Sequence, residues 1–372
     1  MNDKKTTTRR SVLKSTGGIA LTAALTPITT AGASMQGKQT ANTLRWGVIG
    51  TGGIANQMAP MIKLADNAEL AAVSSRRMET AQEYANEHGV THAYDSWQEM
   101  IAADTIDAVY IATPTSVREE IAVAAATAGK HVLGEKPFAN LKSLQRITAA
   151  CRANGVGFMD GTHFVHHPRT AAIRAAIPEK VGRPTSIASA FQFYIADTSN
   201  IRLNPALEPL GAIGDVGWYN VRAAVEYTHP DVDIESVCAF ARRHPETNAI
   251  LEASGLIVFS DASTTTFHCG FDSRAMNMDC RIAGSLGQIS MWGFIINESD
   301  GSASYDLRQQ GFGPDAGEKV VVPSARPGAA LMFEDFAAMT ANKVLFEKSV
   351  AASERTQRWL DAVYDAAAGT SS

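Results

Sequence analysis

The stretch LRWGVIGTGGIA, residues 44–55, decides the fold. The apolar run Leu44–Ile49 predicts a strand, and the pattern Gly50-x-Gly52-x-x-Ala55 follows where a helical pattern begins. Gly50 permits a tight turn, Gly52 lets backbone N–H groups approach a pyrophosphate, and Ala55 keeps the helix close to the strand. This context predicts a dinucleotide-binding turn. We expect it to contact the cofactor through Gly50, Thr51, Gly52, Gly53 and Ile54.

Further apolar runs alternate with helical patterns after this turn. The predicted strands are Glu69–Ser74, Ala108–Ala112, His131–Leu133 and Val156–Met159. The predicted helices are Ile54–Leu64, Met78–His88, Val117–Ala128 and Leu141–Asn154. Strands and helices alternating at this spacing predict a doubly wound parallel sheet. We therefore expect a Rossmann domain over residues 44–162.

From residue 163 the sequence becomes rich in β-like runs separated by turn residues. It predicts an α+β domain with a large, mostly antiparallel sheet over residues 163–350, used for substrate binding and oligomerisation. The last helical pattern, in residues 351–372, is expected to pack back on the Rossmann domain. Cys269 and Cys280 lie on two runs that predict a hairpin, and we expect them to be buried free thiols.

The first residues carry the signature of an export signal. Basic residues around Arg9-Arg10 precede an apolar stretch and the small-residue triplet Ala31-Gly32-Ala33. This order is typical of a cleavable twin-arginine signal, here residues 1–33, followed by an arm over residues 34–43. It predicts a periplasmic or otherwise exported protein, handled by the twin-arginine machinery and free of the membrane after cleavage. An uncleaved anchor is the alternative.

The bulk composition narrows the classes of function. The chain has 372 residues and a formal net charge of −5, which predicts two domains and argues against a nucleic-acid-binding surface. Its cysteines form no Cys-x-x-Cys pair and no Cys/His cluster, so we predict no metal site.

The end of the second predicted strand indicates which dinucleotide is bound. An acidic residue there usually binds the ribose 2′-hydroxyl of NAD, whereas an arginine accommodates the 2′-phosphate of NADP. Ser75 and Arg76 stand at this position, and the first acidic residue after them is Glu79. The pattern favours NADP, with NAD as the alternative.

Two further segments follow strand ends, where open α/β sheets bind their ligands. Thr113-Pro114 follows one predicted strand, and Glu135-Lys136 follows the next. We expect all four residues to contact the cofactor. Lys136 would in addition stabilise developing negative charge on a substrate oxygen.

These segments carry a family resemblance. GVIGTG at residues 47–52, DAVYIATP at 107–114 and GKHVLGEKP at 129–137 resemble the Gfo/Idh/MocA oxidoreductases. The resemblance extends into the second domain, where GAIGDVGWY at residues 211–219 is similar to the family's second motif. Tyr219 stands where many members have a histidine, and this tyrosine resembles glucose–fructose oxidoreductase.

The resemblance implies hydride transfer between a nicotinamide and a carbinol or carbonyl carbon of a sugar, polyol or diol. Lys136, Asp215 and Tyr219 would be catalytic, Arg202 would contact cofactor or substrate, and His166 would line the substrate pocket with Lys136 and Tyr219. We expect the Lys136 ammonium to lower the pKa of Tyr219.

A cofactor loaded before export would stay bound and be recycled by a second substrate. Alternative functions are a redox-assisted, NAD-dependent glycoside hydrolase and a non-catalytic NADP sensor. We also expect a homodimer or a higher homo-oligomer, because a broad sheet with one uncovered face needs a partner.

Overall fold

The computed structural model describes residues 43–296, 300–311 and 316–369. The predicted signal peptide and residues 34–42 of the predicted arm lie outside the described residues.

The first part of the chain forms a six-stranded parallel sheet in the order β3-β2-β1-β4-β5-β6. Its strands are β1 Leu44–Ile49, β2 Ala68–Ser74, β3 His92–Tyr94, β4 Ala108–Ile111, β5 His131–Gly134 and β6 Phe158–Asp160. Its helices are α1 Gly53–Leu64, α2 Met78–His88, α3 Trp97–Ala102, α4 Thr115–Thr127 and α5 Leu141–Ala153. The central strands are almost fully buried, as expected for a parallel sheet covered on both faces. The predicted Rossmann sheet is confirmed.

The second part forms an eight-stranded sheet in the order β14-β13-β12-β11-β7-β10-β9-β8. Its strands are β7 Pro184–Tyr194, β8 Ile234–Arg243, β9 Ile250–Phe259, β10 Thr264–Gly270, β11 Asp272–Gly284, β12 Gln288–Trp292, β13 Ala303–Arg308 and β14 Glu318–Val322. Helices α6 Pro168–Ala176, α7 Gly211–Asp215 and α8 Gly217–Tyr227 belong to the same part. All neighbouring strands are antiparallel except β7 and β10, so the predicted mostly antiparallel sheet is also confirmed.

Strand β7 lies between β10 and β11, which corrects the predicted hairpin. Cys269 pairs in register with Phe191 on one side of β7, and Cys280 pairs with Ser189 on the other side. Both cysteines are buried free thiols. They do not face each other, because a strand from much earlier in the chain separates them.

The C-terminal region also differs from the expected division of the chain. Helix α9, Gly328–Thr340, packs on the Rossmann sheet, since the Phe333 ring lies 5.0 Å from Trp46 of β1 and 5.7 Å from Tyr110 of β4. Helix α10 spans Lys343–Gly369 and thus begins before residue 351. It contacts α5 and β6 of the Rossmann part but also α8 and β8 of the second part. The amphipathic pattern of this segment predicts a helix but not the elements that the helix packs against, because each of those elements is distant in sequence.

A buried polar network joins the two parts at the end of β6. The Asp160 carboxylate accepts hydrogen bonds from Arg222 Nη1 of α8, at 2.9 Å, and from the Ser353 hydroxyl of α10. The neighbouring Thr162 accepts a bond of 2.7 Å from Trp218 Nε1, which is also on α8. A buried carboxylate is stable only when a cation and hydrogen-bond donors satisfy it, as Arg222 and Ser353 do here. The network therefore holds α8 against the Rossmann sheet.

None of the helices in the described residues combines the length and the apolar character that crossing a membrane requires.

Candidate active site

Two cavities open at the carboxyl ends of the Rossmann strands, and Ala112, Thr113 and Ile201 line both. The first, which we call the cofactor cleft, has a volume of about 690 Å³ and runs along the turn after β1. The second, the catalytic pocket, has a volume of about 480 Å³ and lies between the Rossmann sheet and the second sheet. This is where open α/β folds bind their ligands.

The cofactor cleft brings together most of the residues predicted to bind the dinucleotide. They are Gly50, Thr51, Gly52, Ser75, Arg76, Thr113 and Pro114. Gly50 has a φ of +102°, and a Cβ atom there would lie 2.9 Å from the Ala112 carbonyl oxygen, so the turn requires glycine. A Cβ atom on Gly52 or Gly53 would meet nothing within 4 Å. The open space over these two residues fits a pyrophosphate at the start of α1.

A side cavity of about 360 Å³ extends the cofactor cleft beyond β2, where Thr51, Ser75, Arg76, Arg77 and Thr80 line it. The hydroxyl of Thr80 is buried and has no hydrogen-bond partner. Helix α2 begins directly after Arg77, whose side chain makes no capping hydrogen bond. A helix N-terminus, an unpartnered hydroxyl and guanidinium groups together fit a phosphate. The cavity therefore suits a 2′-phosphate.

A short segment crosses from the second part of the chain to the cofactor cleft. Ile201 and Leu207 line the cleft, while the Glu208 carboxylate accepts bonds from Thr115 N at 3.1 Å and Thr115 Oγ1 at 2.6 Å. The Leu207 carbonyl accepts a further bond of 3.1 Å from Ser116 N. Glu208 thus caps α4, whose first N–H groups lack partners within the helix. We call residues 201–208 the strap.

In the catalytic pocket, the Asp215 carboxylate accepts hydrogen bonds from two cationic side chains. Its Oδ1 accepts a bond of 2.8 Å from Lys136 Nζ, and its Oδ2 accepts one of 2.6 Å from Arg202 Nε. Lys136 Nζ also donates to the Asp215 carbonyl at 2.9 Å. Burial disfavours the Asp215 carboxylate, but Lys136 and Arg202 outweigh it and hold the pKa of Asp215 well below its usual range. The group is therefore a fixed anion that orients both cations.

Tyr219 lies beside this group in the first turn of α8. Lys136 Nζ is 4.8 Å from the centre of the Tyr219 ring. Burial nevertheless raises the pKa of Tyr219 to about 12, because it outweighs the opposing effect of Lys136. This corrects the expected lowering. Burial lowers the pKa of Lys136, but Asp215, Tyr219 and Glu135 together outweigh it, so that this pKa is also raised. Both groups therefore carry their protons at neutral pH.

The structure places His163 rather than His166 in the catalytic pocket. The His163 ring lies 6.0 Å from the Tyr219 ring, whereas His166 Nδ1 lies 2.8 Å from an Asp335 carboxylate oxygen. The short 3-10 turn His163–His166 directs the two side chains differently. Burial, followed by the nearby Lys136, lowers the pKa of His163 to about 4, so this imidazole is neutral. His166 therefore does not line the catalytic pocket, contrary to its predicted position.

Three of the remaining predicted residues also line the catalytic pocket. Ile54, Glu135 and Arg202 contribute to its wall, and Gly53 begins α1 beside it. Glu135 is buried and accepts a bond of 2.6 Å from the Tyr110 hydroxyl. Burial raises its pKa despite the neighbouring Lys136.

Sequence reasoning missed several residues of the two cavities. Thr80 was recognisable in principle, as the third residue of a predicted helix that follows Ser75-Arg76. His163, Glu208 and Arg118 carried no comparable signal, because their positions depend on contacts between distant segments. The described residues contain no cluster of three or more His, Cys, Asp or Glu side chains that could hold a metal ion.

Comparison with known proteins agrees with this geometry. Residues 44–162 match the model of an oxidoreductase family with an NAD-binding Rossmann fold, and residues 171–290 match the GFO/IDH/MocA C-terminal domain. Together they cover more than half of the chain. The chain belongs to the Gfo/Idh/MocA oxidoreductases. The predicted family and enzyme class are confirmed.

Relatives with named activities act on sugars and polyols. A D-xylose 1-dehydrogenase (NADP(+)) of Haloferax volcanii is 29% identical over 62% of this chain and 70% of its own length. A scyllo-inositol 2-dehydrogenase (NADP(+)) of Bacillus subtilis is 33% identical over 49% of this chain and 57% of its own length. The crystal structure of a 3-ketoreductase, KijD10 of Actinomadura kijaniata, in complex with NADP and TDP-benzene has a TM-score of 0.80 at 25% identity. That alignment covers 87% of this chain and 98% of the other.

The side cavity leads to a prediction about cofactor choice. Arg76→Ala should weaken NADP binding by about 10- to 100-fold, because a charge-assisted hydrogen bond is lost, and leave NAD binding unchanged. Thr80→Val should weaken NADP binding by a smaller factor. Calorimetric titration with each nucleotide measures both effects. Arg243→Ala, a half-buried arginine of β8 that lines neither the cleft nor the side cavity, is the control. Equal weakening of NAD and NADP binding would contradict a 2′-phosphate site.

Proposed function

We propose that this protein is an NADP-dependent oxidoreductase acting on the carbinol or carbonyl carbon of a sugar, polyol or diol. The observation that carries the proposal is the placement of Lys136, Asp215 and Tyr219 in a pocket that adjoins the cofactor cleft. The NADP-dependent relatives that act on a sugar and an inositol support the same substrate class.

The residues of the cofactor cleft fit NADP. The open space over Gly52 and Gly53 suits the pyrophosphate, and Ser75, Arg76 and Thr80 suit the 2′-phosphate. Bound there, NADP would supply hydride transfer at its nicotinamide ring.

Lys136 would polarise the substrate oxygen. An ammonium has three N–H donors, and Lys136 uses two of them on Asp215. The third remains for a carbonyl or hydroxyl oxygen of the substrate. Because Asp215 fixes the ammonium before substrate arrives, little reorganisation is needed when negative charge develops on that oxygen.

Tyr219 would exchange the proton of the substrate hydroxyl. With a pKa of about 12 it holds its proton at neutral pH, so it can donate to the oxygen of a carbonyl that is being reduced. In the reverse direction the phenolate must accept a proton, and the phenolate is scarce at neutral pH. The neutral His163 adds a further polar group to the same pocket.

The position of the strap supports the proposal that the cofactor stays bound through successive turnovers. Ile201 and Leu207 line the cleft that would hold the cofactor, and Glu208 fastens this segment to α4. Release of a bound dinucleotide would require the strap to move. Retained NADP would be reduced to NADPH by one substrate and reoxidised by another, which suits a compartment without free NADP.

Export would explain why the cofactor has to stay bound. The twin arginine Arg9-Arg10 and the small-residue triplet Ala31-Gly32-Ala33 support a periplasmic or otherwise exported protein. The chain would bind its cofactor and fold before it crosses the membrane.

The outer face of the second sheet supports a homodimer. Phe240, Leu256, Trp292 and Val321 are exposed, and each alternates along its strand with residues that face the helices. Eight strands at a spacing of about 4.8 Å make a face about 34 Å wide, which provides roughly the area of a standard interface. A second copy would cover these apolar side chains.

The raised pKa of Tyr219 predicts different pH profiles for the two directions of the reaction. The kcat/KM for carbonyl reduction should stay level from pH 6 to 9, whereas that for carbinol oxidation should rise by up to about tenfold per pH unit. Tyr219→Phe should abolish the rise, and the control Tyr364→Phe should retain it. An oxidation rate that stays level in the unaltered enzyme would contradict the assigned role.

The strap leads to a prediction about cofactor retention. NADP should co-purify with the protein isolated without added nucleotide. Glu208→Gln should speed NADP dissociation by about five- to tenfold, since a helix cap contributes about 1 kcal/mol. Stopped-flow measurement of NADPH fluorescence gives the rate, with the exposed Glu246→Gln as control. An empty protein with weak NADP affinity would rule out recycling.

The export proposal predicts a change of compartment. The double variant Arg9→Lys/Arg10→Lys should remain in the cytoplasm of a bacterium with a twin-arginine pathway, because the receptor requires the arginine pair. Cell fractionation and the mass of the mature chain measure the outcome. Unchanged export of the double variant would refute this route.

The dimer proposal predicts a change of mass. Light scattering should give twice the chain mass, and Phe240→Asp should shift it toward the monomer because a buried charge without a partner is costly. The exposed Leu345→Asp on α10 is the control. A monomeric parent protein would refute the proposal.

A further inference from the structure

The mouth of the catalytic pocket is unusually apolar for a site that meets water. Ile201, Met276 and Ile296 line it and are 43%, 64% and 53% exposed. They come from three distant segments of the chain. Met276 lies where β11 departs from regular pairing with β7, between Asp272 and Asn277. Exposed apolar side chains gathered at one opening indicate that the opening binds an apolar group.

The apolar surface continues inward to the catalytic residues. Phe191 and Phe193 of β7 line the pocket with Met278 of β11, and the Phe191 ring lies 5.6 Å from the Tyr219 ring and 6.0 Å from the Phe193 ring. Methionine side chains adapt to the shape of an apolar ligand. We call the wall formed by Phe191, Phe193, Met276 and Met278 the apolar wall.

Each of the three cationic side chains that line the pocket has an internal hydrogen-bond acceptor. Lys136 and Arg202 bind Asp215. Arg118 donates from its two Nη atoms to the Pro137 and Thr113 carbonyls. The described lining also contains three carboxylates, one for each of these cations, so it offers no excess of basic over acidic groups to a phosphate or carboxylate on the substrate.

From these observations we infer that the substrate is an uncharged carbinol, or its ketone, whose non-reacting part is an apolar chain or ring. The reacting oxygen lies at Lys136, and the apolar part lies against the apolar wall and leads out to the mouth. The inference rests on the proposed function for the reacting end and narrows its substrate class. A polyol hydroxyl against this wall would lose water without gaining a hydrogen-bond partner.

A homologous series of ligands tests the inference by binding alone. Racemic alkane-1,2-diols from propane to octane keep the same carbinol and lengthen the apolar tail. Their Kd for the NADP-loaded protein, measured by calorimetry, should fall by about fourfold per methylene until the tail reaches the mouth. The anion 2-hydroxyoctanoate should bind more weakly than octane-1,2-diol.

Variants at the mouth locate the effect. Met276→Gln, and the double variant Met276→Gln/Ile296→Gln, should reduce the gain per methylene, so that the loss of affinity grows from propane-1,2-diol to octane-1,2-diol. Because these side chains are exposed, the variants are expected to fold. Leu64→Gln, at an exposed apolar residue of α1 outside the pocket, is the control and should retain the full gain.

Three results would overturn the inference. The first is a Kd that does not change with tail length, or no binding of any diol. The second is a gain per methylene that the mouth variants leave intact. The third is a change of oligomeric mass in Met276→Gln without a change in the gain, which would assign the mouth to an interface between copies. Failure of the proposed function is separate, since it would appear as absent NADP binding or absent turnover of any carbinol.

Discussion

The carboxylate of Asp215 is the point on which the site depends. It binds Lys136 from the end of β5 and Arg202 from the strap, so one anion joins the Rossmann sheet, the second part of the chain and the cofactor cleft. Removing Asp215 would leave the buried Lys136 ammonium without its anion, which is far costlier than the loss of a surface ion pair. The Lys136 ammonium is therefore positioned by the fold itself, before cofactor or substrate binds.

A second buried polar network fixes the position of Tyr219. Its neighbours on α8, Trp218 and Arg222, bind Thr162 and Asp160 at the end of β6. The tyrosine is thus held between two anchored residues. Its high pKa follows from the burial that this anchoring imposes, and the nearby ammonium only moderates it. Packing, rather than the local charge pattern, decides the protonation state of the Tyr219 hydroxyl.

Much of this site could be predicted from sequence, because parallel sheets place every strand's carboxyl end at one edge. Strand β1 has the predicted bounds, and the residues after β1, β2, β4 and β5 meet as expected. The errors concern long-range contacts. The 3-10 turn brought His163 and not His166 to the pocket, α9 joined the Rossmann sheet, and burial reversed the expected shift of Tyr219. None of these contacts leaves a periodic signal in the chain.

The position of β7 has a consequence for the order in which the molecule can assemble. This strand is central in its sheet, yet both of its neighbours, β10 and β11, are synthesised only after a long intervening stretch. Until they arrive, β7 has two unpaired edges that invite association with other chains. Pairing strands so far apart in sequence is also slow. A nascent chain of this protein would therefore need protection until residue 284 has left the ribosome, and its second sheet would form late and nearly all at once.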